Sequence, residues 1–96
     1  MPQYLLLAND YKDADALNRR MTIRPKHLER VRIEKAAGRF IIGGAKLNEQ
    51  GKMHGSMLVV QLENEEAARA WVNEDPYSKN NVWETVEILP FRVAEV

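Results

Sequence analysis

Apolar residues along this chain fall into short runs separated by polar stretches, and the period inside each run names an element. "QYLLLA" (3–8) is apolar, carries an aromatic near its start and stops at Asn9-Asp10, so it reads as a buried strand ended by turn residues. "DYKDADALNRRMT" (10–22) is polar and reads as a long connection holding at most a helical turn. In "PKHLERVRIEKAAG" (25–38) Pro25 suits a first helical position, Leu28, Val31 and Lys35 share a stripe, and Gly38 is a stop, which predicts a helix. "RFIIGGA" (39–45) and "GSMLVVQL" (55–62) are rich in strand formers and flank the polar loop "KLNEQGKMH", predicting two strands in a long hairpin. "NEEAARAWVNE" (64–74) opens on Asn64 as an N-cap, follows with glutamates in the first turn and puts Ala67, Ala68, Trp71 and Val72 on one face. "DPYSKNN" ends that helix, and "VWETVEILPFRV" (82–93) is the last strand, interrupted near its end by Pro90.

The order β-α-β-β-α-β predicts an α+β, ferredoxin-like fold: a four-stranded antiparallel sheet with two helices on one face, in one domain spanning 1–96. The central strands are apolar on both faces, since Tyr4 and Leu6 alternate with Leu5 and Leu7, and Met57 and Val59 with Leu58, Val60 and Leu62. Two helices cover only one face, so the other is expected to be buried by a second copy in a homodimer that stacks sheet on sheet. A long loop or the C-terminal segment folded over the open face is the alternative.

Composition narrows the function classes. Acidic and basic side chains balance at 14 each, so no net field recruits nucleic acid or an anionic membrane. There is no cysteine, which removes disulfides, thiolate metal ligands and a thiol nucleophile and agrees with a reducing compartment. "MPQYLLLAND" holds only a short apolar run with no basic leader, which reads as neither a signal peptide nor a membrane span; a soluble, cytoplasmic protein is expected. His27 and His54 lack paired-ligand spacing and the glycines of "GRFIIGGAKLNEQGK" form neither a P-loop nor a dinucleotide fingerprint, so no metal and no cofactor are expected. His54 reads as a solvated loop residue, Trp71-Val72 as core, and Lys46, Glu49 and Lys52 as a solvated loop or a mobile lid.

Three residues carry candidate chemistry. His27, two residues after Pro25, falls in the first turn of the predicted helix, where unpaired N–H groups and the helix dipole disfavour a positive charge and suit a general base. A half-buried, hydrogen-bonded histidine with no catalytic task accounts for the same pattern. Asp75 follows Trp71 by four, so its carboxylate falls on a buried stripe where it needs a partner, although Asp-Pro is also an ordinary helix-ending turn. Asp10 ends the first strand near where the predicted helix begins, which by topology makes it the neighbour of His27, whereas Asp75 lies at the far end of the other helix.

"RPKHLERVRIEKAAGRFIIGGA", the Gly-Ser that opens the third strand, "EEAARAWVNEDPY" and the ending "VEILPF" together resemble the YciI-like (YCII-related) family of the dimeric α+β barrel superfamily, over essentially the whole chain. The resemblance implies a ferredoxin-like dimer with a site centred on a histidine, carried over to His27, and on the aspartate of the Asp-Pro-aromatic motif, carried over to Asp75. Asp10 also falls where relatives often have an aspartate, and Arg24 and Ser56 match positions near the presumed pocket, suited to an anionic or phenolic oxygen. Relatives often carry a glycine shortly before the last strand where this chain has "KNNVW"; Asn81 can take the left-handed conformation instead.

Within the superfamily a chlorinated hydroxylated aromatic loses chloride, lactones isomerise and cofactor-free oxygenases act, and each reaction begins with a base taking a proton. The expected function is therefore a small-molecule enzyme in which His27, oriented by Asp75 or Asp10, abstracts a proton from a phenolic, lactone or similar substrate, with Arg24 and Ser56 holding the anion. The alternative is a non-catalytic small-molecule-binding or interaction module of the same fold.

Overall fold

The computed structural model describes residues 1–96. In chain order the elements are β1 (Gln3–Asp10), α1 (Ala16–Ala36), β2 (Phe40–Leu47), β3 (Met53–Gln61), α2 (Glu65–Asn73), α3 (Pro76–Lys79) and β4 (Trp83–Phe91). The strands form one antiparallel sheet in the order β2-β3-β1-β4, the ferredoxin-like arrangement that the alternating pattern predicts. Pairing of Tyr4 with Val60, Leu6 with Leu58 and Ala8 with Ser56 fixes which residues face the helices. A one-residue slip would turn that whole set to the other face.

The core lies between this face and α2 and α3: Leu6, Leu58 and Val60 of the sheet meet Ala68, Trp71 and Val72 of α2, with Tyr77 and Val82 beyond. Each such aliphatic or aromatic side chain contributes about 1.5–3 kcal/mol by leaving water. The N-cap of α2 is Asn64, whose side chain accepts the Ala67 N–H at 2.8 Å. Pro90 sits inside β4, paired with Tyr4, and is tolerated because β4 is an edge strand with one side of its ladder free. Asn81 takes φ 56°, the left-handed turn before β4 that glycine would otherwise supply.

Three expectations need correction. The polar stretch 10–22 is not a long connection, because α1 begins at Ala16 and Pro25 therefore stands inside it, leaving the Met21 carbonyl without its usual N–H partner. Periodicity missed this start because the residues that α1 buries are Ala16, Arg20, His27 and Glu34, only one of them apolar. A third helix, α3, follows Asp75 directly, with the Asp75 carboxylate accepting the Tyr77 N–H at 2.9 Å. The hairpin loop is also shorter than the polar run suggested: β2 reaches Leu47, β3 starts at Met53, and Asn48 closes the turn by accepting from the Gln50 and Lys52 N–H groups. His54 is thus an exposed residue of β3, and the loop is a tied turn without the length of a lid.

The face of the sheet away from the helices carries Leu5, Leu7, Met57 and Leu89, all half-buried, together with Ile42, which is 58% exposed. No helix is long and apolar enough to cross a membrane.

Candidate active site

Residues 20, 27 and 34 of α1 lie two helical turns apart, so Arg20, His27 and Glu34 make one stripe, spaced by about 10 Å and turned to the protein interior. A charged stripe against a sheet is costly unless every group finds a partner. Each does, from a different element. Arg20 donates to both carboxylate oxygens of Asp10 at 3.0 Å and to Ser56 Oγ at 2.9 Å. His27 Nδ1 lies 2.9 and 3.0 Å from the two oxygens of Asp75. Glu34 accepts from Arg39, at 2.6 and 3.0 Å, and from the Trp71 indole, and the Arg39 guanidinium holds its carboxyl below the usual range.

Asp75 is wholly buried and serves three donors: His27, the Tyr77 N–H and the Arg30 guanidinium at 3.0 Å, which stacks on Trp71 at 4.1 Å. A carboxylate only accepts, so Nδ1 carries the proton that Asp75 receives, and Nε2 is the ring nitrogen left without a protein partner. The imidazole is held in place by Tyr77, stacked at 4.1 Å with planes 16° apart, and by the edge of Trp83 at 5.9 Å.

His27 Nε2 has no hydrogen bond within the protein. Arg20 Nε is the single sealed side-chain polar atom without a partner, so Nε2 reaches open space. That space is a cavity of about 70 Å³ between α1 and the β2–β3 edge, bordered by Arg20, Arg24, His27, Ser56 and Tyr77 and floored by Gly43. It holds the reacting end of a ligand, since drug-sized pockets run to about 300 Å³ and more. A larger groove of about 720 Å³ between the two chain ends, lined by Met1, Tyr4, Gln61 and Phe91, brings together no comparable set of groups.

The five residues expected at the site divide as follows. His27 and Asp75 are in contact, and Arg24 and Ser56 border the same cavity. Asp10 is corrected: it is buried nearby but its carboxylate is taken by Arg20 and it makes no hydrogen bond to His27. The early start of α1 is the cause, because it puts His27 in the helix interior, past the end of β1 and level with the end of α2. The first-turn argument for the histidine lapses with it. Arg20, Arg30, Tyr77 and Trp83 went unrecognised; the seven-residue spacing of Arg20, His27 and Glu34 was the available signal for the first.

The YCII-related domain pattern matches residues 3–92. The chain belongs to the YCII-related family. Protein YciI of Escherichia coli O6:H1 is 35% identical over 95 residues, covering 93% of this chain and 95% of that protein, and an uncharacterized protein of Haemophilus influenzae is 28% identical over 95 residues with the same coverage. Among solved structures, 5-chloro-2-hydroxyhydroquinone dehydrochlorinase of Burkholderia phenoliruptrix AC1100, in complex with 2,5-dihydroxybenzoquinone, superposes with a TM-score of 0.81 at 21% identity, over 96% of this chain and 95% of that one. At that identity the likeness to the dehydrochlorinase is one of fold, and for this YCII-related chain it agrees with the sheet order above.

Proposed function

We propose that this protein is a cofactor-free small-molecule enzyme in which His27 Nε2 abstracts a proton from a phenol, lactone or similar carbon or oxygen acid, setting up elimination or isomerisation. The observation that carries the reading is the buried His27–Asp75 contact at 2.9 Å with Nε2 left free at a cavity. Asp75 fixes the tautomer and ring orientation, as the third member of a nucleophile or base array does elsewhere. The charge count favours an anion in the cavity: Arg20 is matched by Asp10 and Arg30 by Asp75, while Arg24 makes no ion pair. Ser56 Oγ already accepts from Arg20 and from the Trp83 indole at 3.2 Å, so its hydroxyl proton is free to be donated to a bound oxygen. The dehydrochlorinase with the same fold, bound to a hydroxylated quinone, makes phenolic substrates the first class to try.

The working unit in this reading is a cytoplasmic homodimer that buries the apolar face of Leu5, Leu7, Met57 and Leu89 against a second copy. A monomer by sedimentation at micromolar concentration would reject that part. For the site, phenols, aromatic acids and lactones are screened by thermal shift against wild type and His27→Ala. The expected result is a ligand that stabilises wild type and is turned over by it, with both effects lost in His27→Ala. Turnover of that ligand by His27→Ala at the wild-type rate rejects the base, and binding without turnover by wild type returns the alternative, a binding module.

A further inference from the structure

His27 does not meet the cavity alone. Pro76 and the Asp75 carboxylate start the short turn of α3 and carry the Tyr77 ring onto the imidazole, nearly parallel to it. Trp83 closes on the same tyrosine edge-on at 5.5 Å, and the Arg20 guanidinium lies over its ring at 4.7 Å. The residue is 1% exposed, yet its hydroxyl makes no hydrogen bond and is not sealed, since the one sealed unpaired side-chain atom is Arg20 Nε. The open space that Tyr77 borders is the His27 cavity. A buried phenol hydroxyl with no protein partner is a donor waiting for an acceptor. Burial pushes the Tyr77 pKa up, which keeps its proton in place at neutral pH.

We propose that Tyr77 is the acid that complements the His27 base, and that the cavity enolises small monoanionic carbonyl compounds of the 2-keto acid type. The inference rests on His27 acting as the base. Arg24, the guanidinium without an ion pair, takes the carboxylate, and the cavity of about 70 Å³ suits an acid of few heavy atoms. Nε2 takes a proton from the carbon beside the carbonyl, and the electron pair of that C–H bond becomes the C=C bond. The carbonyl π pair moves onto oxygen, which takes the Tyr77 proton. Return of a proton from the imidazolium to the tyrosinate restores both groups. The net change is keto to enol, with nothing oxidised or reduced and no bond broken other than C–H and the carbonyl π bond. The stacked rings hold base and acid at the rim of one cavity.

The test uses pyruvate in deuterium oxide, with loss of the methyl proton signal followed by NMR for the intact protein. Wild type is expected to exchange the methyl protons faster than buffer. Tyr77→Phe, which keeps the ring and its stacking, lowers kcat for exchange by roughly 10²-fold, the scale of one general acid, with KM little changed. Arg24→Met chiefly raises KM. Exchange by Tyr77→Phe at the wild-type rate overturns the acid role. If His27→Ala is then inactive, the base stands; if His27→Ala also exchanges at the wild-type rate, the base falls with it. Wild type that fails to exchange pyruvate overturns the 2-keto acid class, and Tyr77→Phe is checked by thermal melting so that lost exchange is not lost fold.

Discussion

Removing the Asp10 carboxylate is expected to destabilise the protein more than any surface change, although Asp10 makes no hydrogen bond to His27. The Arg20 and Asp10 side chains are 3% and 4% exposed and share two hydrogen bonds at 3.0 Å. At an effective dielectric of about 20, two charges about 4 Å apart attract by about 4 kcal/mol. Asp10→Ala leaves the Arg20 guanidinium buried with Ser56 as its one remaining hydrogen-bond partner and with Nε already unpaired. Breaking a buried pair from one side costs about 3–5 kcal/mol. A chain of 96 residues has about 5–14 kcal/mol of total stability at typical per-residue values, so the loss is a large part of it. At about 4–8 °C per kcal/mol for this size, Tm falls by at least about 12 °C. Arg20→Met should cost a similar amount by orphaning Asp10. The double variant removes both charges and should sit well above the sum of the two losses, with a coupling of about 2–4 kcal/mol in a urea-denaturation cycle followed by circular dichroism. Additive losses, or an Asp10→Ala cost under about 1 kcal/mol, would refute the view that this buried pair is a unit.

Acid stability should depend on Glu34. Its carboxyl is held low by Arg39 first and by Trp71, so its contribution is fully present above the ordinary value of 4.5 and is lost as pH falls through its lower folded value. Urea midpoints taken on a descending pH series should therefore drop less steeply in Glu34→Gln than in wild type, and parallel slopes would count against the assignment. Asp13, lowered to about 2 by Arg19, titrates in the same direction and is unchanged between the two proteins, so the difference belongs to Glu34. At the start of α2, Asn64→Ala removes the acceptor of the Ala67 N–H and should cost about 1 kcal/mol by thermal or urea melting, whereas Asn64→Asp should cost little. Equal losses in the two variants would assign the effect to something other than the cap.

Most of the fold was legible because strands and α2 bury alternating or helically spaced apolar residues, and the pattern reports burial. Leu6, Leu58 and Val60 face the core as read, and Trp71 and Val72 fill the space above them. The pattern missed the first turns of α1 for a physical reason: the residues buried there are Ala16 and Arg20, and a buried arginine gives no apolar period to detect. Starting that helix nine residues late put His27 at its tip, beside the end of β1, and so favoured Asp10 as its partner on topology. The motif pointed to Asp75, and Asp75 is the carboxylate that His27 touches. The two aspartates are thus not rivals for one histidine. Asp10 neutralises Arg20 on the strand side of the cavity, and Asp75 orients His27 on the helix side while also holding Arg30.

That division explains why an interior helix face can be this polar without collapsing the core. Every ionic group on the stripe is matched within the protein, and α1 adds Ile23 and Val31, half-buried against the core, where α2 fills it with Trp71 and Val72. Among the arginines of α1 that border the cavity, Arg24 alone lacks a carboxylate, and the two hydroxyls there, Ser56 and Tyr77, both lack an acceptor for their proton. These unmatched groups border the same cavity as His27. Arg20→Met with Asp10→Ala should keep the fold and loosen Ser56, whose hydroxyl then loses one of the two donors that fix it.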